Sequence, residues 1–198
     1  MNAATTRSDW NVIAGWVQPG ERVLDLGCGD GALLRMLIDT RGAHGYGVEI
    51  DALGVLAAIR NNINVVQSDI DQGLADFKDQ AFEHVVLSRT LQTVKHTENT
   101  LLEMLRVGRE AVVSVPNFGY WKNRQAVFNG RMPVSEDLPY EWYDTPNVRF
   151  FTLNDFEDLC DKLGIVIKSR EVLDAKGHPV HEEHNFLGSL GVYRITKA

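Results

Sequence analysis

What this chain lacks narrows it before any motif is read. It has two cysteines, Cys28 and Cys160, so no disulfide framework can be built, and the reducing cytoplasm is the expected compartment. No stretch approaches the ~18 to 20 uninterrupted apolar residues of a bilayer span. The opening MNAATTRSDW lacks a basic start followed by an apolar run, so export is not expected either. Positive charge is also short: 20 Lys and Arg stand against 27 Asp and Glu, a formal net charge of −7. A surface of that sign repels phosphate backbones and anionic lipids, so neither nucleic acid nor a membrane is the expected partner.

What is present is an ordinary globular composition, 44% hydrophobic over 198 residues, long enough for one domain with its own core. Short apolar runs alternate with amphipathic segments, the pattern of an α/β fold whose mostly parallel sheet carries helices on both faces. Strands are expected at Glu21 to Leu26, Gly45 to Ile50, Asn64 to Gln67, Glu83 to Leu87 and Ala111 to Val115. Helices are expected at Gly31 to Asp39, at Asp51 to Arg60 with Asp51 as N-cap, and at Thr97 to Val107, where leucines recur at helical spacing. A further helix from Thr152 to Leu163 is capped near Thr152 or Asn154 and stopped at Gly164. Gly164 to Lys168 and Val192 to Thr196 are candidates for a closing antiparallel pair.

Between Pro116 and Phe151 the texture changes, with four of the six prolines and nine of the 17 aromatics. So many buriable residues do not belong to a disordered linker, and the segment is expected to be an ordered insertion at about 116–151. Three uses are open to it: packing on its own sheet, covering a pocket as a lid, or docking a partner through Trp121, Trp142, Tyr140, Tyr143 and Met132.

The stretch VLDLGCGDGALL, residues 23–34, joins a buried strand to a helix through a glycine turn. Such a turn aims backbone N–H groups and a positive helix end at the carboxyl edge of the sheet. Gly27 to Ala32 fits the dinucleotide pattern G-x-G-x-x-A. Asp25 and Asp30 oppose that reading, because a pyrophosphate here would meet two carboxylates within about one helical turn. S-adenosylmethionine (SAM), with an ammonium, a sulfonium and no phosphate, has the opposite preference, and S-adenosylhomocysteine shares its frame. Glu49, 24 residues after Asp25, can take both ribose hydroxyls. Asp69 can meet the adenine amine, with Ile70 and Ile50 as apolar neighbours of the ring. Cys28 is a small side chain within the turn, and Ser88 follows the fourth strand. The candidate cofactor site is therefore Asp25, Gly27, Cys28, Gly29, Asp30, Glu49, Ile50, Asp69, Ile70 and Ser88.

VLDLGCGDG followed by GVEID and QSDI resembles the Rossmann-like class I SAM-dependent methyltransferase fold, which implies seven strands with a reversed final one. LSRTLQTV, LEMLRVGREAVVSVPNFGYWKNR, GRMPVSEDLPYEWYDTPN and FTLNDFEDLC resemble the methionine biosynthesis family MetW, from roughly Glu21 to Leu163. That resemblance implies a cytoplasmic protein working with a MetX-type homoserine O-acyltransferase as an accessory or regulatory subunit. It carries SAM-motif roles onto Asp25, Gly27, Gly29, Glu49 and Asp69, and no catalytic residue. Leu87, Ser88 and Arg89 stand where amide-methylating enzymes place Asn-Pro-Pro-Tyr, and the VPNF at Val115 to Phe118 follows the fifth strand instead. The alternative is a methyltransferase with an unidentified small-molecule or protein acceptor.

Two further features are weaker. His178, His181 and His184 recur every three residues, but Pro179 breaks the helix that would stack them, so a polar loop is expected and no metal site. Arg89, Lys95 and His96 follow the fourth strand as candidate rim residues or as a solvated loop.

Overall fold

The structure, a computed structural model, describes residues 7–198. Helix α1 (Ser8–Trp16) precedes β1 (Arg22–Leu26), α2 (Ala32–Arg41), β2 (His44–Glu49), α3 (Ala52–Arg60) and β3 (Val65–Gln67). Next come β4 (Phe82–Ser88), α4 (Thr97–Val107), β5 (Gly108–Pro116) and α5 (Trp121–Phe128). Helix α6 (Leu153–Lys162), β6 (Ile165–Leu173), the single turn α7 (His184–Leu187) and β7 (Leu190–Lys197) follow. The seven strands pair in the order β3-β2-β1-β4-β5-β7-β6. Strands β1 to β5 are parallel, and β7 runs antiparallel to both its neighbours.

Successive side chains of the central strands point to opposite faces, so a continuous apolar run serves two cores at once. Leu24, Val85 and Val113 face Leu101 and Met104 of α4 and Phe156 and Cys160 of α6. Their neighbours Val23, Val86 and Val112 face Ile13 and Val17, and Leu33, Leu34 and Leu37 of α2. Each such buried Val or Leu contributes roughly 1.5–3 kcal/mol relative to exposure.

Helix ends follow local chemistry. Asp51 Oδ2 accepts from Gly54 N at 2.8 Å to start α3. Thr152 and Asp155 form a reciprocal capping box on α6, which satisfies two of the orphan N–H groups of that end.

Three elements differ from expectation. Strand β6 extends to Leu173 rather than Lys168, because on this half-exposed edge strand, past a bulge at Lys168, the polar residues 169–171 still pair through the backbone with β7. Helix α1 is unanticipated, although Trp10, Ile13, Ala14 and Val17 carry the helical period. Helix α5 occupies the early part of the aromatic stretch, while residues 131–152 form neither helix nor strand. That irregular chain is nonetheless pinned: Val148 N and Arg149 N both donate to Gln92 O, at 2.9 and 3.0 Å, and Phe150 packs on Phe118 with ring centroids 5.3 Å apart.

Candidate functional site

The site grows out of the end of β1. Gly27 (φ +67°) and Gly31 (φ +74°) take left-handed conformations that L side chains rarely adopt. Space is short as well: a Cβ at Gly27 would lie 2.8 Å from Thr90 Cγ2, and one at Gly31 would lie 2.8 Å from Ile63 Cγ1. Gly27 N and Cys28 N both donate to Val48 O, at 2.8 and 3.0 Å, which folds the turn onto the end of β2.

Glu49 completes the bend. Its Oε2 accepts from Gly29 N, and its Oε1 accepts from Ile50 N and Asp51 N, each at 2.8 Å. A single carboxylate thus ties the glycine turn to the start of α3. Asp69 acts in a similar way after β3, where its Oδ1 accepts from Asp71 N at 2.9 Å.

Two cavities open at this edge and share Gly27. The larger, about 680 Å³, is lined by Glu49, Ile50, Asp69 and Ile70, by Thr90 after β4, and by Tyr140 and Pro146 of the irregular chain. The smaller, about 180 Å³, is lined by Asp25, Cys28, Gly29, Asp30 and Ser88, together with Arg7 and Trp10. Every candidate cofactor residue named from the sequence therefore lines one or the other. Arg7 and Trp10 were not anticipated, because they reach the edge from α1 and the residue before it, and Thr90, beside the named Ser88 and Arg89, was not singled out; Tyr140 and Pro146 belong to the insertion for which a covering position was one of the open uses. Of the expected rim residues, Arg89 and Lys95 line the larger cavity, whereas His96 lies elsewhere.

The electrostatics are uneven. Asp25 is only 2% exposed, and burial pushes its carboxyl up to about 7, the Arg7 charge opposing and the Glu49 charge adding to the shift. Burial likewise pushes the Cys28 thiol up to about 12, with the charges of Asp25 and Glu49 adding. Cys28 is therefore a protonated thiol at neutral pH and no nucleophile.

A second buried acid stands in α1. Asp9 Oδ2 accepts from Arg7 Nη2 at 2.7 Å, Ser88 Oγ at 2.8 Å and Ser114 Oγ at 2.9 Å. Burial raises its pKa, but the Arg7 hydrogen bond and the Arg89 and Arg7 charges outweigh it, and the net shift is downward. Arg89, itself at φ +52°, reaches Asp9 at 3.5 Å and Asp137 at 2.9 Å. It thereby ties α1 to the irregular chain over the cavities.

The histidines are dispersed. His178 Nδ1 stands 3.4 Å from Asp174, while His184 belongs to α7 and meets Arg170 Nη2 at 3.0 Å. Among the described residues, no three His, Cys, Asp or Glu side chains gather as metal ligands would. No helix there is long and apolar enough to cross a membrane.

Against this geometry the comparisons are specific. The family model for methionine biosynthesis protein MetW matches residues 7–195. The bifunctional methionine biosynthesis protein MetXA/MetW of Rhodopirellula baltica is 39% identical over 173 residues, 82% of this chain and 28% of that one. Phosphoethanolamine N-methyltransferase 2 of Caenorhabditis elegans is 21% identical over 191 residues, 87% of this chain and 41% of that one. The chain thus spans less than half the length of these curated relatives. An S-adenosylmethionine dependent methyltransferase from Mesorhizobium loti superposes with a TM-score of 0.72 at 17% identity, covering 96% of this chain and 98% of that one. At that identity the likeness shows the fold alone, which is the Rossmann-like methyltransferase fold.

Proposed function

The chain belongs to the MetW family of methionine biosynthesis proteins, and from that premise we propose that it binds SAM and serves a MetX-type homoserine O-acyltransferase as an accessory or regulatory subunit. We place this work in the cytoplasm, where its two cysteines stay reduced. The observation that carries the partnership is the Rhodopirellula relative, whose name joins MetXA and MetW in one chain. Joining two units covalently raises their effective concentration, which favours a contact also made between separate chains.

The donor set of the two cavities suits SAM. Glu49 would take the ribose hydroxyls, and Asp69 with Ile50 and Ile70 would hold the adenine. The smaller cavity offers an acid and a base together, Asp25 for the ammonium and Arg7 for the carboxylate of the methionine portion. Gly27 lets the backbone approach at the junction.

The contact face we assign to the partner is the 116–151 insertion. Phe128 is 90% exposed, Trp142 70% and Tyr143 71%, a concentration of large apolar surface in the residue types that anchor interfaces. Tyr120 is buried and Tyr140 lines the larger cavity.

SAM lies downstream of methionine, so its binding here would let supply act on an early enzyme, provided SAM favours one of two states of the complex. The test is co-purification with the acyltransferase, followed by its activity with and without saturating SAM. Association and a SAM-dependent change in turnover or affinity support the reading. Absence of association overturns the partnership, and identical behaviour with and without SAM overturns the regulation.

A second reading, methyl transfer, is favoured by the continuation of the larger cavity past Gly27 to Thr90, Thr93 and Tyr140. In-line displacement there needs positioning within about 3 Å rather than a fixed base. Label passing from methyl-labelled SAM into an extract component supports it, and SAM recovered intact from every fraction counts against it.

A further inference from the structure

Helix α5 buries little of itself. Asn123 is its one buried residue, and that side chain roots the helix to the end of β5, Nδ2 donating to Asn117 O at 3.0 Å. Arg124 adds a second root, donating through Nη2 to Asn185 O at 3.2 Å. An amphipathic surface helix covers a core with its apolar stripe. Here the stripe is turned outward: Trp121, Gln125 and Phe128 lie at i, i+4 and i+7, about half a turn round from Asn123, and Phe128 is 90% exposed.

The far end of the helix holds that ring on a fixed turn. Gly130 takes φ +73°, with Gly130 N donating to Val127 O and Arg131 N to Ala126 O, each at 2.9 Å. These are the two bonds of a Schellman closure, so the last turn is closed rather than frayed. Beyond it Met132 and Val134 are again exposed, at 46% and 52%, and Met132 and Pro133 line a small recess with Trp142. Single exposed apolar side chains are normal, but a run of them on a closed turn marks a contact surface.

The charge of this segment is the reverse of the chain's. Between Glu110 and Glu136 there is no acid, whereas Lys122, Arg124 and Arg131 bring three cations to a protein of net charge −7. Among the described residues none of the three takes part in an ion pair. Lys122 and Arg131 are also exposed, so their charges flank the outward stripe uncompensated.

We propose that α5 and the turn after it are the anchor of the partner face, and that they enter an apolar groove rimmed by carboxylates on the acyltransferase. This rests on the partnership proposed above and adds which segment inserts and what surface receives it. Phe128 fills the groove and Lys122 and Arg131 meet its acidic rim, a helix-in-groove contact read by residues one and two turns apart. A second copy of the chain does not suit this face, because a two-fold contact through α5 sets cation against cation. An anionic membrane is opposed by the net charge of −7 on the whole chain.

Calorimetry of the full chain against the acyltransferase, at about 50 mM and about 300 mM salt, tests the assignment. Phe128→Ala should weaken the complex by about 30-fold, with the chain's thermal midpoint unchanged because the ring already stands in water. Lys122→Gln combined with Arg131→Gln should weaken it by about fivefold at the lower salt and by less than about twofold at the higher. Sedimentation of the chain alone and flotation with vesicles of phosphatidylserine in phosphatidylcholine report the other occupants. Dimerisation or vesicle binding that Phe128→Ala abolishes overturns the proposal. So does a complex of undiminished affinity with Phe128→Ala, or one whose salt dependence the double variant leaves unchanged, and either result leaves the partnership standing. Absence of the wild-type complex removes both together.

Discussion

The carboxyl edge of the sheet is built in two manners. After β1, β2 and β3 each candidate ligand residue sits within a few positions of a strand end, and Glu49 alone ties the glycine turn to the next helix through three backbone amides. After β5 more than thirty residues precede α6, with α5 the one helix among them, and the shape of the rest depends on tethers from afar: Arg89 to Asp137, and Gln92 O to residues 148 and 149. The first side concentrates acids around a tight turn, with Asp25 buried among them. The second displays exposed aromatics on a pinned but irregular frame. A rigid turn fixes what small molecule is held, and an irregular one leaves side chains free to meet another protein.

The comparison can be broken from either side. The largest effect is expected at Gly45→Val, because a Cβ there would lie 1.7 Å from Val23 O in the adjoining strand. Backbone cannot yield as a side chain tip does, so a loss above about 4 kcal/mol is expected, seen as absent cooperative unfolding. Next comes Glu49→Ala, which should weaken SAM by about 30- to 100-fold in calorimetry, the measure of about 2–3 kcal/mol for hydrogen bonds to a charged group. Unchanged affinity would remove the ribose assignment. On the other side, Trp142→Ala should weaken the acyltransferase complex by about 2 kcal/mol while shifting the chain's own stability by less than about 0.5 kcal/mol. If that substitution instead unfolds the chain and leaves the complex intact, the division of labour is wrong.

Legibility followed the same division. Asp25, Glu49 and Asp69 could be placed from the sequence because a strand end fixes its successor's position through local geometry. The reversed strand was implied by family resemblance, and the pairing of β6 with β7 was visible as two short apolar runs. Arg7 and Asp9 were not legible: Asp9 is wholly buried by partners 79 and 105 residues away, and sequence period carries no such information. The extension of β6 through Ser169, Arg170 and Glu171 escaped for a related reason, since backbone pairing there proceeds without a hydrophobic signal. Trp142 is exposed and Tyr140 lines the larger cavity although they lie two residues apart, because only tertiary position decides which of them faces a cavity.

The smallest expected effect is also the most direct test. In the ligand-free fold Asp25 is pushed up to about 7 from 3.8, so the folded chain holds a proton that the unfolded chain has released between those values. Its contribution to stability therefore falls as pH rises from about 4 to about 7. An ammonium ligand prefers the ionised carboxylate, so SAM should bind more tightly as pH rises through the same window, with release of a proton. Calorimetric titration of SAM at roughly pH 6 and pH 7.5 should show an affinity several-fold higher at the upper value, up to about tenfold, and Asp25→Asn should abolish that difference. An affinity that is equal at both values in the native chain, or a pH dependence that survives Asp25→Asn, would contradict a pocket built around a cation at Asp25.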